Sequence, residues 1–149
     1  MIAFLLAAAT SACPDPSLKE VKDFGAMIHS LSRRSIAILS GDPSARQFVS
    51  VDAEFSLVVG DVGSSLGKGP IGAATLSKQL NAVTYEYAPW ISVPAPADPC
   101  AKQEVQVRFY DKSGESGAVV KFQYDKGRLI RADGWTVARV VGSFPASVH

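Results

Sequence analysis

The chain has few of the residues from which metal and cofactor sites are usually built. Only two of its 149 residues are cysteine and two are histidine, and it has neither a C-x-x-C nor an H-E-x-x-H pattern. Lysine plus arginine number 15 and aspartate plus glutamate 14, so there is no excess of positive charge to bind the phosphates of a nucleic acid. The sequence therefore predicts no metal ion, no cofactor and no nucleic-acid partner.

No hydrophobic run is long enough to cross a membrane, since a spanning helix needs about 20 apolar residues. The first twelve residues, MIAFLLAAATSA, are apolar and then small. Ile2–Ala9 resembles the hydrophobic region of a secretory signal, and Thr10–Ala12 resembles its cleavage site, although no Lys or Arg lies near Met1. We expect residues 1–12 to be a signal peptide, residues 13–149 to form a single domain, and the protein to be periplasmic or secreted. The alternatives are a true start further upstream or a segment that begins the fold.

The two cysteines, Cys13 and Cys100, each lie in a stretch rich in proline and aspartate. Free cysteines occur more often in buried apolar runs, and an exported chain with two loop cysteines favours a disulfide. A competing interpretation is a lipid anchor on Cys13, because Thr10–Cys13 loosely resembles a bacterial lipoprotein signal. We favour the disulfide.

The order of predicted elements is long helix, strand, helix and then a group of about four strands. A capping box at Ser17–Glu20 begins the first helix, and apolar residues at helical spacing continue it to about Ser40. A short helix near Pro43–Ser50 and a strand from Ala53 to Val59 follow; Gly60–Gly69 is predicted as a loop, and a helix begins at Pro70. Turns are expected at Lys112–Gly117, Asp125–Gly127 and Asp133-Gly134. This order predicts an α+β fold in which a long N-terminal helix and short helices pack in a curved, mainly antiparallel sheet.

Several segments within this order resemble the NTF2-like superfamily, which includes the SnoaL-like and ketosteroid-isomerase-like proteins. They are Leu39–Asp42, Phe55–Asp61, Gly67–Ala73 and Asp133–Trp135. The resemblance covers roughly Leu18 to Phe144 and departs from the family in the proline-rich stretch Pro94–Pro99. It implies a cone-shaped single domain, a homodimer through the sheet, and relatives that are either binding modules or small isomerase-like and hydratase-like enzymes.

Two glycine motifs look like enzyme signatures, and we interpret both as structural. Gly63–Gly67 matches G-x-S-x-G, but a nucleophile elbow needs a sharp strand-to-helix turn and a histidine later in the chain, where only the terminal His149 is found. Gly67–Gly72 matches G-x-G-x-x-G, which needs a parallel βαβ unit. His29 is expected to be a boundary histidine bonded to a neighbour, or else a pocket acid or base. Asp52 and Glu54 are expected on a solvated strand face, with a carboxylate pair as the alternative.

Aromatic residues give the best indication of a site. Strand alternation places five aromatic residues on the inner sheet face, namely Tyr85, Tyr87, Phe109, Phe122 and Tyr124. Helical spacing places Phe24 and Ile28 on the helix face opposite them. These seven residues are the predicted lining. Buried tyrosine hydroxyls are costly without partners, so these residues either line a cavity for a small apolar or amphipathic ligand or fill a core with their hydroxyls at its rim. We favour ligand or partner binding over isomerase-like or hydratase-like acid–base chemistry, because no acid lies clearly on an inner strand face.

Overall fold

The computed structural model describes residues 24–87 and 101–138, except the side chains of Phe24 and Ala138. The expected signal peptide, the capping box at Ser17, the Cys13–Cys100 pair and the proline-rich stretch lie outside these residues. Among the described residues, no helix is both long enough and apolar enough to cross a membrane.

The described fold contains two α-helices, one short 3-10 helix and six strands. In chain order they are α1 (Phe24–Leu39), the 3-10 helix (Pro43–Phe48), β1 (Val49–Val59), β2 (Val62–Lys68), α2 (Gly69–Leu80), β3 (Thr84–Glu86), β4 (Gln103–Tyr110), β5 (Ser116–Asp125) and β6 (Arg128–Ala138). The strands form one curved, unclosed sheet in the order β2-β1-β6-β5-β4-β3. Only β1 and β6 pair in parallel within this described sheet. The predicted α+β class, with helices packed in a curved and mainly antiparallel sheet, is confirmed.

Both helices pack on the same face of the sheet, which we call the inner face. Helix α1 reaches it where the Ser35 hydroxyl meets the Tyr124 hydroxyl at 2.7 Å. Helix α2 reaches it where Gly72 lies against the Phe55 ring. The β1–β6–β5 register places Phe55, Ala132 and Phe122 side by side, so these contacts share one face. This face and the helices enclose the hydrophobic core.

The predicted loop Gly60–Gly69 is wrong, because most of it forms β2. A two-residue turn at Gly60-Asp61 joins β1 to β2, and Gly60 has a φ of +61°, which glycine adopts without a steric penalty. Strand β2 consists mostly of serine and glycine, so a search for alternating hydrophobic residues does not detect it. Its backbone nevertheless pairs with β1. Val59, the last residue of β1, lies next to this turn and is 57% exposed.

The predicted hairpin turn at Asp133-Gly134 is also wrong, because β6 continues through it from Arg128 to Ala138. Gly134 pairs with Leu57 on one side and Val120 on the other. A Cβ atom there would lie 2.9 Å from Leu57 Cδ1, so this glycine allows close packing inside a central strand. The turn predicted at Asp125–Gly127 is confirmed, with Lys126 and Gly127 both at positive φ.

Helix α2 approaches the sheet closely because Gly72 has no side chain. A Cβ atom at this position would lie 2.6 Å from Phe55 Cδ2 and 2.7 Å from the Gly67 carbonyl oxygen. The second of these is a backbone atom that cannot rotate away. The G-x-G-x-x-G pattern therefore serves packing, as interpreted from the sequence.

We expect Gly72→Ala to lower the free energy of unfolding by about 1–3 kcal/mol, because the methyl group overpacks the contact with Phe55 and Gly67. Glycine-to-alanine changes in helices normally stabilise by up to about 1 kcal/mol, so the sign of the effect is diagnostic. Urea denaturation measures it. The matched control is Gly63→Ala, whose Cβ atom meets only Val58 Cγ2 at 3.7 Å and which should stay within about 0.5 kcal/mol. A stabilised Gly72→Ala variant would contradict this packing.

Candidate functional site

The inner face of the described sheet carries no charged side chain. Cross-strand register places Tyr85 opposite Phe109, Val105 opposite Phe122 and Gln103 opposite Tyr124. These pairings place Tyr85, Phe109, Phe122 and Tyr124 on one sheet face. The inner positions of β1, β4, β5 and β6 include Ala53, Phe55, Leu57, Val105, Val107, Phe109, Ala118, Val120, Phe122, Tyr124, Leu129, Ala132, Gly134 and Thr136.

Tyr124 belongs to the core and is 1% exposed. The Ser35 hydroxyl donates to the Leu31 carbonyl at 2.9 Å and shares a hydrogen bond of 2.7 Å with the Tyr124 hydroxyl. The Tyr124 hydroxyl also lies 3.5 Å from the Leu31 carbonyl oxygen. Burial raises the pKa of Tyr124 strongly, and the hydrogen bond with Ser35 offsets only part of this rise. Tyr124 therefore ties α1 to β5 as a neutral phenol.

The other predicted lining residues divide between the core and the sheet edge. Phe122 is fully buried and meets Phe109 edge to face, with ring centroids 6.3 Å apart. Ile28 is buried on α1, and the Phe24 side chain lies outside the described residues. Tyr85 is 38% exposed on β3, the edge strand of the described sheet.

Tyr85 and Phe109 border a small cleft of about 120 Å³, which we call the edge cleft. It lies where the C-terminal ends of α1 and α2 meet β3 and β4. Its lining residues are Ile36, Leu39, Ser40, Ser77, Leu80, Ala82, Val83, Thr84, Tyr85 and Phe109. The Ser77 hydroxyl donates to the Leu39 carbonyl and so joins the two helix ends. The hydroxyl-bearing residues Ser40, Thr84 and Tyr85 are exposed at the cleft.

A larger groove of about 390 Å³ lies beside the edge cleft, and we call it the mouth groove. Its lining residues are Leu57, Val59, Gln79, Leu80, Asp111, Ser116, Gly117, Ala118 and Thr136. Asp111 is the ionisable side chain among them. Its carboxylate accepts hydrogen bonds from the Ser113 side chain and from the backbone N–H groups of Ser113 and Gly114. These bonds lower the pKa of Asp111, so it is held as a carboxylate within its own turn.

His29 lies on the β3 side of α1, where its Nδ1 atom is 2.9 Å from the Tyr87 hydroxyl. The two rings lie 5.4 Å apart, and Tyr87 stacks on Tyr85 at 6.4 Å. Burial raises the pKa of Tyr87, which makes its phenolate harder to form. Neither His29 nor Tyr87 lines the edge cleft or the mouth groove. His29 is a half-buried histidine bonded to a neighbour, which was the favoured interpretation.

The charged side chains of the sheet lie on its outer face. Asp52 and Glu54 are exposed, as expected, and Glu54 forms ion pairs with Lys68 at 3.9 Å and Arg131 at 3.6 Å. Asp133 accepts hydrogen bonds from Ser56 at 2.7 Å and Arg131 at 2.6 Å. Within residues 24–87 and 101–138, no three His, Cys, Asp or Glu side chains are grouped so as to hold a metal ion.

Sequence reasoning missed most of the edge-cleft lining. It expected the N-terminal half of α1 to face the aromatic residues, whereas Ile36, Leu39 and Ser40 come from its C-terminal end. It also gave no role to Ser77 and Leu80 at the end of α2. Their helical spacing was visible in the sequence, but nothing in it showed that the two helix ends meet.

The chain matches no protein-family model and no curated protein at significance. Solved structures similar to it in fold include NTF2-like and ketosteroid-isomerase-like proteins. An NTF2-like protein of unknown function from Burkholderia xenovorans is 12% identical, covers 77% of this chain and 86% of its own, and has a TM-score of 0.49. A candidate ketosteroid isomerase from Kribbella flavida is 11% identical; the match covers 81% of this chain and 84% of that protein, with a TM-score of 0.48. An NTF2-like protein from Cytophaga hutchinsonii is 8% identical; the match covers 76% of this chain and 98% of that protein, with a TM-score of 0.42. At these identities and TM-scores, nothing about ligand or activity is transferred to this chain.

We expect Tyr124→Phe to lower the free energy of unfolding at pH 7 by about 0.5–1.5 kcal/mol, through loss of one buried hydrogen bond. The pKa of Tyr124 is higher in the folded state than the unfolded value of about 10. Its contribution is therefore complete below pH 10 and is lost as the pH rises above 10, because the unfolded chain ionises first. The difference between the two proteins should shrink over that range.

Urea denaturation between pH 7 and pH 11 measures both effects. Ser35→Ala is the matched control, because it removes the partner hydroxyl and keeps the buried phenol; it should retain the alkaline loss of stability. Stability curves for wild type and Tyr124→Phe that stay parallel above pH 10 would show that Tyr124 is not buried as a neutral phenol.

Proposed function

We propose that this protein binds a small, neutral, amphipathic molecule of about one ring in the edge cleft. The observation that carries the proposal is the chemistry of the lining: apolar side chains surround a volume of about 120 Å³, with three exposed hydroxyl-bearing residues at its border. An engineered apolar cavity of about 150 Å³ accepts benzene. The cleft volume therefore suits a single ring and is below the roughly 300–1,000 Å³ typical of drug-sized ligands.

The absence of charge in the cleft supports a neutral ligand. No Asp, Glu, Lys, Arg or His is among the lining residues that the structure describes. A charged ligand would lose its hydration without gaining an ion pair, which costs several kcal/mol. A ligand hydroxyl or carbonyl group has polar partners in Ser40 and Tyr85, which line the cleft and are exposed.

The same lining favours binding over the isomerase-like or hydratase-like alternative. A general acid or base must lie within about 2.6–3.2 Å of the proton that it transfers, or reach it through one water. The described inner strand positions supply no such group. Asp111 is bonded within its turn, and His29 is bonded to Tyr87 beside the cleft. We therefore propose a binding module rather than an enzyme.

Export, the Cys13–Cys100 disulfide and a homodimer through the sheet are further parts of this proposal. The first two are supported by the apolar-then-small pattern of residues 1–12 and by the sequence surroundings of the cysteines. The dimer is supported by the family resemblance. It is also supported by the outer-face pair of Val58, which is 36% exposed, and its cross-strand neighbour Trp135.

Phenol is a suitable probe, because it combines one ring with one hydroxyl group. We expect phenol to raise the melting temperature of the wild-type protein with increasing concentration, by mass action on the folded state. Ala82→Phe should abolish this response, because Ala82 lines the cleft and is exposed, so that a phenyl group at this position has room to occupy the cleft. Differential scanning calorimetry in a phenol titration measures the response.

The matched control is Ala74→Phe, which adds the same side chain at an exposed position of α2 outside the cleft lining. This variant should respond to phenol as the wild type does. Equal responses of Ala82→Phe and wild type, or no response of the wild type, would refute binding in the edge cleft.

A further inference from the structure

We infer that Leu80 sets the size limit of the ligand by separating the edge cleft from the mouth groove. This inference rests on the proposed function and names the residue that determines its specificity. Leu80 lines both cavities. Leu80 therefore borders both the cleft of about 120 Å³ and the groove of about 390 Å³.

The position of Leu80 is fixed by the end of helix α2. Leu80 is the last residue of the helix, and Asn81 follows it in the left-handed conformation with a φ of 45°. The Asn81 N–H group donates to the Ser77 carbonyl at 3.1 Å, which closes the final turn. Leu80 is half-buried and packs against the hydrophobic core, so it acts as a fixed wall.

The floor beneath the two cavities is continuous. Phe109 lines the edge cleft and Ala118 lines the mouth groove, and these two residues are direct partners in the β4–β5 ladder. Neighbouring strands lie about 4.8 Å apart. The cavities are therefore adjacent on one apolar surface, and Leu80 stands between them.

The wall has a direct consequence for ligand size. With Leu80 in place, the edge cleft accepts about one ring. Truncation of Leu80 joins the cleft to the larger groove and makes room for a second fused ring, which would lie on Ala118 and Leu57. The groove lining near Leu80 is mostly apolar or small, so a second ring would lose little solvation that the site does not replace.

The experiment compares phenol with 1-naphthol, which adds one fused ring, by isothermal titration calorimetry. The wild type should bind 1-naphthol at least about tenfold more weakly than phenol. Leu80→Ala should bind 1-naphthol at least about tenfold more tightly than the wild type does, a change of about 1.4 kcal/mol. Leu80→Val keeps more of the side chain and should show a smaller gain in 1-naphthol affinity. If Leu80→Ala does not fold, Leu80→Val provides the test in its place.

Two matched variants test whether the gain in 1-naphthol affinity requires a shorter side chain at Leu80. Leu80→Met keeps a long apolar side chain and should bind 1-naphthol as weakly as the wild type. Gln79→Ala shortens a residue that lines only the mouth groove and should also show no gain.

The possible outcomes distinguish a failure of the Leu80 inference from a failure of the proposed binding function. If wild type binds phenol and neither Leu80→Ala nor Leu80→Val gains affinity for 1-naphthol, Leu80 is not the wall, and the proposed binding function stands. Wild-type affinity for 1-naphthol equal to that for phenol would also overturn the inference. If the wild type binds neither compound, the proposed function fails and the inference fails with it.

Discussion

Two helices cover one face of a curved sheet, and the described strand side chains at that interface are uncharged. Burying an unpaired charge there would cost several kcal/mol. The interface instead holds apolar groups and a few hydroxyls, among them the hydrogen-bonded pair Ser35 and Tyr124. Where the helices cover the sheet, this surface is core. Where α1 and α2 end, the same surface continues as the edge cleft and the mouth groove, so the site inherits its chemistry from the core.

Much of this fold follows from local sequence patterns. Alternation identified the inner faces of β1, β4 and β5, helical spacing identified α1, and Pro70 identified the start of α2. These patterns failed at glycine residues, which occur both in turns and in closely packed strands. The glycine–serine segment after Val59 forms strand β2 by pairing with β1, and Leu66 is its buried residue. Asp133-Gly134 has the composition of a turn, but Gly134 lies in a central strand, paired with Leu57 and Val120, where a Cβ atom would lie 2.9 Å from Leu57 Cδ1. Both facts depend on distant residues.

The site was less predictable than the fold for the same reason. Tyr85 and Phe109 were identified because strand alternation places them on the inner face. Phe122 shares that face, yet it lies wholly within the core. The sequence shows which face a side chain takes; how far a helix extends over that face depends on packing. The junction formed by Leu39, Ser77 and Leu80 arises only when the two helix ends meet, and no local pattern encodes that meeting.

The most direct test of this account is to locate a bound ring by NMR, through intermolecular nuclear Overhauser effects between phenol and side-chain methyl groups of the wild-type protein. The account predicts effects from the ring protons to the methyl groups of Leu39, Leu80 and Val83, which line the edge cleft. Effects confined to Val51 and Ile71, which are exposed apolar side chains outside the cleft lining, would contradict it.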